Sequence, residues 1–172
     1  MYGRQWRGPP AASHPDDSGL YHCGVVPYDM DAEVRDALET DAESLAAIAD
    51  VPTDVMRNVV HDRTVRVAER RREASDPNVD TDAADAELLG FVAFDVRDRT
   101  VHVTQLGGSA EAVERLLGEP VRFASNERLA VEYLAVASAT DHHEAAERAG
   151  FERLGPGPRF MNEETVRFGM KP

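Results

Sequence analysis

Two apolar runs joined by a very short polar turn constrain the fold of this chain more than any other feature. The runs LLGFVAFDV and TVHVTQL are separated only by Arg97, Asp98 and Arg99. A connection this short places two strands side by side, so the pattern predicts a β-hairpin. Ser109 follows, with acidic residues in the next turn, which predicts a capped helix over Ser109–Leu117.

The rest of the C-terminal half continues to alternate helices and strands. Gly118 is predicted to interrupt the helix, and Pro120 to open a further turn, because its missing N–H is not needed at a helix start. The run AVEYLAVAS predicts a strand that is covered on both faces. Asp141 is predicted to cap the helix HHEAAERAG, which ends at Gly150. Two closing strands are predicted at Phe151–Leu154 and Thr165–Met170.

The N-terminal part is predicted to begin with a flexible arm. Residues 1–19 mix Pro, Gly, Ser and Asp without apolar periodicity, and a domain over residues 20–172 is expected to follow. The run LYHCGVVPY predicts a first strand. Apolar residues at helical spacing predict one helix, or two, over Asp29–Asp50. Three further elements are expected: a short helix from Pro52, a strand over Thr64–Ala68 and a polar loop over Glu73–Asp85.

The balance of charges limits the partners of this chain. The formal net charge is −13, and only Lys171 among the 19 basic residues is lysine. Such an acidic surface repels phosphate backbones and anionic lipid, which argues against nucleic-acid and membrane partners. At molar salt the Debye length falls to roughly 3 Å, so the carboxylates hardly repel one another. The composition therefore indicates either adaptation to high salt, of the haloarchaeal type, or a GC-rich genome that replaces Lys by Arg in an ordinary acidic protein.

Cysteine usage and hydropathy indicate a soluble cytoplasmic protein. Cys23 is the only cysteine, which excludes an internal disulfide and a cysteine-based zinc site. No apolar run approaches the roughly 18 residues of a membrane span, and the N-terminus lacks the apolar stretch of a signal peptide. No metal site is predicted.

Several segments together resemble a known superfamily. The pieces HDRTVRVAE, ELLGFVAFDV, TVHVTQLGG, AVEYLAVAS and, most specifically, EAAERAGFERLG occur in this order. From about Leu20 onward the chain is similar to the GNAT superfamily of acyl-CoA-dependent N-acyltransferases. The resemblance implies an α/β (α+β) fold with a mixed, mostly antiparallel central sheet of six to seven strands flanked by helices. It also implies acetyl-CoA as co-substrate, a small-molecule or peptide amine as acceptor, and a homodimer formed through the last strands.

The resemblance implies a cofactor loop after the fourth strand. In that family the pantetheine arm pairs with this strand and the pyrophosphate binds at the next helix start, where free amides and small residues are needed. The family signature is R/Q-x-x-G-x-G/A, and two placements remain open. The first uses Gln105, Leu106, Gly107, Gly108, Ser109 and Ala110. The second uses Arg115, Gly118 and Pro120 of RLLGEP.

The catalytic residues implied by the resemblance are only partly present. In the family a base deprotonates the amine, and commonly a Tyr protonates the leaving thiolate. The family's Tyr and cofactor-contacting Asn fall on Ala146 and Ala139, so the chain departs from the pattern at both positions. Tyr133 and His102 are the substitute candidates, and a histidine with a pKa of about 6.5 can act as a base. A thiolate also leaves without an obligatory acid, since its pKa is about 8.5.

Each candidate also has a purely structural interpretation. Tyr133 and His102 can be ordinary strand residues, and Glu132 is expected on the solvated face opposite Tyr133. His142 and His143 are expected to be exposed at a helix start. The sequence thus predicts an N-acetyltransferase with an unidentified amine substrate, and the alternative is a non-catalytic GNAT-like module that binds a ligand or a partner protein.

Overall fold

The computed structural model describes residues 32–71, 86–160 and 162–171. The strands are β1 Ala32–Asp36, β2 Thr64–Arg71, β3 Ala86–Arg97, β4 Thr100–Gly108, β5 Ala130–Val136, β6 Glu152–Pro156 and β7 Thr165–Met170. The helices are α1 Ala42–Ala49, α2 Thr53–Asp62, α3 Ala110–Glu127 and α4 Thr140–Arg148, with a 3-10 turn at Glu39–Asp41.

One sheet contains all of these strands, in the order β1-β2-β3-β4-β5-β7-β6. Neighbouring strands are antiparallel, except that β4 and β5 are parallel. The predicted mixed, mostly antiparallel sheet of six to seven strands flanked by helices is therefore confirmed. The predicted arm at residues 1–19, the strand predicted over residues 20–28 and the loop at 73–85 lie outside the described residues.

The first described strand corrects the sequence-based prediction. Residues 32–36 pair with β2 as a strand and do not begin a helix. Leu38, one of the apolar residues whose spacing suggested a helix, is 57% exposed. The Arg35 guanidinium donates to Asp41 at 2.7 Å and to Glu69 at 2.8 Å. These tertiary contacts fix the extended backbone and outweigh the local helical periodicity.

The predicted β-hairpin is confirmed as β3 and β4. Asp98 and Arg99 form its turn with φ of 47° and 61°, the left-handed pair that a two-residue hairpin loop requires. The register shifts beyond Ala93, so Thr104 of β4 has no partner in β3 and forms a β-bulge. Its hydroxyl donates to the Ala93 carbonyl at 3.1 Å, which fixes the bulge.

Helix α3 is longer than predicted. It runs unbroken for 18 residues through Gly118 and Pro120, so the predicted break and restart are wrong. A proline inside a helix costs about 3 kcal/mol, because it removes one backbone hydrogen bond. Leu116 and Leu117 are fully buried against the sheet, and each stabilises the helix by roughly 1.5–3 kcal/mol. Burial therefore offsets the local penalty.

Within the described residues, the remaining predicted helices and strands are confirmed, and one predicted cap is wrong. The helix expected from Pro52 is α2, and the strand expected from Thr64 is β2. Asp141 was predicted to cap α4, but it lies inside the first turn, and Ala139 occupies the cap position without a side-chain hydrogen bond.

The two faces of the sheet have different cover. Helices α3 and α4 pack on one face, the α3–α4 face, around Phe94, Val103 and Phe168. Helices α1 and α2 pack on the other, the α1–α2 face, around Met56 and Phe91. Since β3 contributes to both cores, the sheet is anchored at its centre. No described helix is both long and apolar enough to span a bilayer.

Candidate active site

Strands β4 and β5 separate partway along their length. They pair only up to Val103 in β4 and Tyr133 in β5. In the described structure, the continuations to Gly108 and Val136 do not pair with each other. The bulge at Thr104 redirects β4 at the point of separation. The result is a wedge-shaped gap, called here the splay, whose narrow end, the apex, lies at Val103 and Tyr133.

A helix start lies at the open end of the splay. A helix start leaves its first amides without an intrahelical acceptor. The Ser109 amide donates to the Leu89 carbonyl at 3.0 Å, and the Ala112 amide donates to the Ser109 hydroxyl at 3.3 Å. Within the described part of the chain, the amides of Ala110 and Glu111 have no acceptor. Two donors at the positive end of α3 are therefore available to an anion.

The glycines of this turn are explained by packing. Gly108 has a φ of 130°, and a Cβ there would lie 2.4 Å from the Cα of Gly90. A Cβ on Gly107 would lie 3.1 Å from Cγ2 of Ile48 and 3.2 Å from Cε1 of Phe91. The glycine pair lets β4 approach β3 and α1 closely, so its presence does not in itself indicate phosphate binding.

The two predicted cofactor loops have different outcomes. The strand-to-helix turn that the first placement requires is formed by Gln105, Leu106, Gly107, Gly108, Ser109 and Ala110. Arg115, Gly118 and Pro120 lie inside α3, so the second placement is wrong, and Gly118 is removed from the candidate site. Gln105 pairs with Ala93 of the α1–α2 core, and its buried Oε1 has no hydrogen-bond partner among the residues that the structure describes. Its side chain therefore faces away from α3.

On the α3–α4 face, the apex holds a buried tyrosine. Tyr133 is 5% exposed and stacks on Phe168, with ring centroids 6.3 Å apart. Its hydroxyl is hydrogen-bonded to Nδ1 of His142, in the first turn of α4, at 3.0 Å. Burial raises the pKa of Tyr133 well above its usual value and lowers the pKa of His142. Both side chains are therefore uncharged near neutral pH.

The histidines at the start of α4 are not exposed, contrary to expectation. Both are half-buried. His143 Nε2–H donates to the Val136 carbonyl at 2.9 Å, and its ring lies 5.3 Å from that of Phe168. Together, His142 and His143 tie the start of α4 to β5. No cluster of three potential metal ligands occurs in residues 32–71, 86–160 and 162–171.

On the α1–α2 face, the apex carries charged side chains. The register places His102 between Asp95 of β3 and Glu132 of β5, and His102 Nδ1 lies 4.0 Å from Glu132 Oε1. Arg63 and Arg97 both donate to Oδ2 of Asp95, Arg97 at 3.0 Å. The other oxygen of Asp95, Oδ1, is buried and has no hydrogen-bond partner in the part of the chain that the structure describes. This face of the apex is therefore polar and partly open to solvent.

The structure does not bring the two catalytic candidates together. Neighbouring residues of a strand point to opposite faces, so Glu132 lies beside His102 while Tyr133 lies on the other side of the sheet. The prediction that β5 is covered on both faces is wrong, because Leu134 is 37% exposed while Tyr133 and Ala135 are buried.

The hydrogen bond between Tyr133 and His142 was not predicted from the sequence. The two residues are nine positions apart, one in a strand and one in the next helix, and no periodicity connects them. The available signal is a tyrosine late in a strand, a short connection and a histidine in the first helical turn. The implied tyrosine position is occupied by Ala146, which lies in α4 and is fully buried.

Comparisons with known proteins identify the fold. No protein-family model and no curated protein sequence matches this chain. NAA60 from Arabidopsis thaliana, solved with a bisubstrate analogue, aligns with a TM-score of 0.62 and 17% identity over 81% of this chain and 97% of that chain. A variant of spermidine N-acetyltransferase from Vibrio cholerae aligns with a TM-score of 0.60 and 12% identity over 82% and 94%. A Bacillus subtilis acetyltransferase in complex with CoA aligns with 0.57 and 14% over 82% and 99%. At these identities the likeness establishes the fold, which is that of the GNAT acetyltransferases.

Proposed function

We propose that this chain is an acetyl-CoA-dependent N-acetyltransferase that transfers an acetyl group to an amine. The observation that carries the proposal is the splay, which opens onto the free amides of Ala110 and Glu111. Proteins of the same fold are named as acetyltransferases, and one of them holds CoA.

The residues around the splay fit such a cofactor. When bound, acetyl-CoA supplies an acetyl thioester. The two free amides would hold its pyrophosphate, and the unpaired edge of β4 would pair with the amide-containing arm. The Glu111 and Glu114 carboxylates oppose this binding. Arg148 Nε lies 2.7 Å from Glu114 Oε2 and offsets one of the two negative charges.

His102 is the proposed base. Acetyl transfer forms a bond between the amine nitrogen and the carbonyl carbon, breaks the carbon–sulfur bond and releases one proton from the amine. The His102 ring would take this proton, and Glu132, at 4.0 Å, would stabilise the resulting imidazolium. Such a base contributes typically about 10²–10⁴-fold to the rate.

Tyr133 is proposed to face the leaving sulfur. A thiol with a pKa of about 8.5 leaves readily as the thiolate, so a hydrogen bond to the sulfur is sufficient and complete proton transfer is not required. The raised pKa of Tyr133 agrees with this role, because a phenol of this kind keeps its proton and remains a donor.

The proposal is tested by titrating acetyl-CoA into the protein in a calorimeter, in multi-molar KCl. Ala110→Pro removes one free amide and leaves the helix intact, because proline is tolerated at the first helical position. The preceding Ser109 has φ −66° and ψ 154°, which is compatible with a following proline. We expect the affinity for acetyl-CoA to fall about tenfold, the effect of one charge-assisted hydrogen bond.

Thr53→Pro, at the first position of α2 and away from the splay, is the matched control and should bind acetyl-CoA like the unaltered protein. Absence of binding heat with the unaltered protein would contradict the proposed function. Equal affinity of Ala110→Pro and the unaltered protein would contradict the placement of the pyrophosphate at the start of α3.

We also propose that the protein works in a reducing cytoplasm of high salt content. The net charge of −13 and the single Cys23 support this proposal. Screening of the carboxylates by salt removes their mutual repulsion, so the melting temperature should rise as KCl increases. A melting temperature that is indifferent to KCl would instead favour the interpretation as an ordinary acidic protein.

A further inference from the structure

The hydrogen bond between Tyr133 and His142 has no role in the chemistry described so far. We propose that His142 is a positioning residue: it holds the Tyr133 hydroxyl at the apex and becomes its hydrogen-bond donor when a thiolate occupies the splay. The inference rests on the proposed function, since it requires CoA to bind there.

The position of Tyr133 is the first support. It is the last residue of β5 that pairs with β4, so its ring lies where the strands separate. From Gly108, at the open end, to Val103, at the apex, β4 covers five residues, or about 17 Å at roughly 3.3 Å per residue. An extended pantetheine arm can span that distance. A cofactor anchored at the start of α3 would therefore bring its sulfur to the apex.

The second support is the number of hydrogens that Tyr133 and His142 can donate. A phenol has one hydrogen to donate, and a neutral imidazole can either accept or donate at Nδ1, depending on its tautomer. With no anion present, the hydroxyl can donate to Nδ1 of His142 across the 3.0 Å contact. A thiolate is a charged acceptor and attracts the hydroxyl hydrogen more strongly than a neutral ring nitrogen does. His142 then donates Nδ1–H to the oxygen, and neither residue changes its charge.

The surroundings of Tyr133 and His142 favour this change in which His142 becomes the hydrogen-bond donor. Tyr133 is held by Phe168 and by burial, so its hydroxyl cannot swing to water. His142 is half-buried, and burial lowers its pKa while Asp141 raises it and His143 lowers it. Among the common side chains, only an uncharged histidine at this position can change from acceptor to donor by moving its own proton between ring nitrogens.

The test measures the thiolate of bound CoA by its ultraviolet absorbance across pH, a readout that does not require turnover. If Tyr133 donates to the sulfur, the ratio of thiolate to thiol should be about tenfold higher in bound CoA than in free CoA at a fixed pH of about 7.5, which is the thiolate excess to be measured. Tyr133→Phe and His142→Leu should each remove most of this excess. His142→Asn should restore part of it, because an amide group can also hydrogen-bond the hydroxyl.

His143→Leu is the matched control, because His143 bonds the Val136 carbonyl and does not contact the Tyr133 hydroxyl through any described hydrogen bond. It should keep the full thiolate excess. The inference is overturned if His142→Leu retains the excess, or if Tyr133→Phe does. Failure of CoA to bind at all would overturn the proposed function as well, so the two failures are distinguishable.

Nitrogen-15 spectra of the imidazole rings provide a second measurement on the unaltered protein, which does not depend on whether a variant folds. Adding CoA at a pH where it is thiolate should move the His142 proton from Nε2 to Nδ1. A His142 tautomer that is unchanged by bound CoA thiolate would overturn the inference.

Discussion

The two faces of the sheet at the apex differ in charge although they are built from the same pair of strands. On the α3–α4 face, Tyr133 and His142 are uncharged, and the Tyr133 ring is buried. On the α1–α2 face, His102, Glu132 and Asp95 form a partly exposed row of polar and charged groups. Because successive residues of a strand alternate between faces, one short parallel pairing supplies both environments. The proposed proton acceptor and the proposed hydrogen-bond donor thus lie on opposite faces of the sheet.

The largest expected effect comes from removing His102, the proposed proton acceptor. His102→Gln should lower the rate of acetyl transfer by about 100-fold or more and leave the affinity for acetyl-CoA unchanged, because the ring is proposed to act on the amine and not on the cofactor. Thiol release from acetyl-CoA, measured with a panel of primary amines and of peptides with free N-termini, reports the rate.

His61→Gln is the matched control for that experiment, since His61 is an exposed histidine of α2, and its activity should be unchanged. If His102→Gln were fully active, His102 on the α1–α2 face would have no part in proton transfer. The difference in charge between the two faces would then have no role in catalysis.

A smaller effect is expected from restoring the tyrosine of the family on the buried face. Ala146 is fully buried in the α3–α4 core, so Ala146→Tyr overpacks the interior and should lower the free energy of unfolding by about 1–3 kcal/mol. Chemical denaturation measures this loss. A stable Ala146→Tyr variant with faster acetyl transfer would contradict the assignment of Tyr133 as the residue that faces the sulfur.

The smallest effect concerns the pH dependence of stability. The folded-state pKa of His142 is lowered by burial, so below about pH 6.5 the unfolded chain binds a proton that the folded chain resists. The contribution of His142 to stability is therefore present above that pH and is lost as the pH falls through the lowered pKa. Denaturation curves between about pH 7 and pH 5 should show a shallower loss of stability for His142→Asn. The same slope in both proteins would mean that His142 is not desolvated in the folded state.

Whether a secondary-structure element could be predicted depends on how far apart in sequence the residues are that determine its conformation. The hairpin of β3 and β4 was predictable, because a two-residue turn at Asp98 and Arg99 dictates its own strand pairing. Strand β1 was not, because its conformation depends on pairing with β2, about thirty residues away in sequence. The continuation of α3 past Gly118 depends on burial against the sheet, which local signals such as Pro120 do not report.

The candidate site also contains one feature that the local sequence predicted and several that it did not. The strand-to-helix turn around Ser109 is a local feature, and its cap was predicted and is confirmed. Three other features depend on how strands and helices pack in three dimensions. They are the hydrogen bond between Tyr133 and His142, the position of Tyr133 and His102 on opposite faces, and the burial of Ala146. No spacing rule within the sequence reports them.

The amide resonances of the α3 start test the central claim most directly. In a nitrogen-15 spectrum of the labelled protein titrated with CoA, the account predicts that the amides of Ala110 and Glu111 shift strongly, while that of Gly118, in the middle of α3, stays in place. Binding of CoA that leaves Ala110 and Glu111 unmoved would contradict the account, because the helix start at the open end of the splay would then not be the phosphate site.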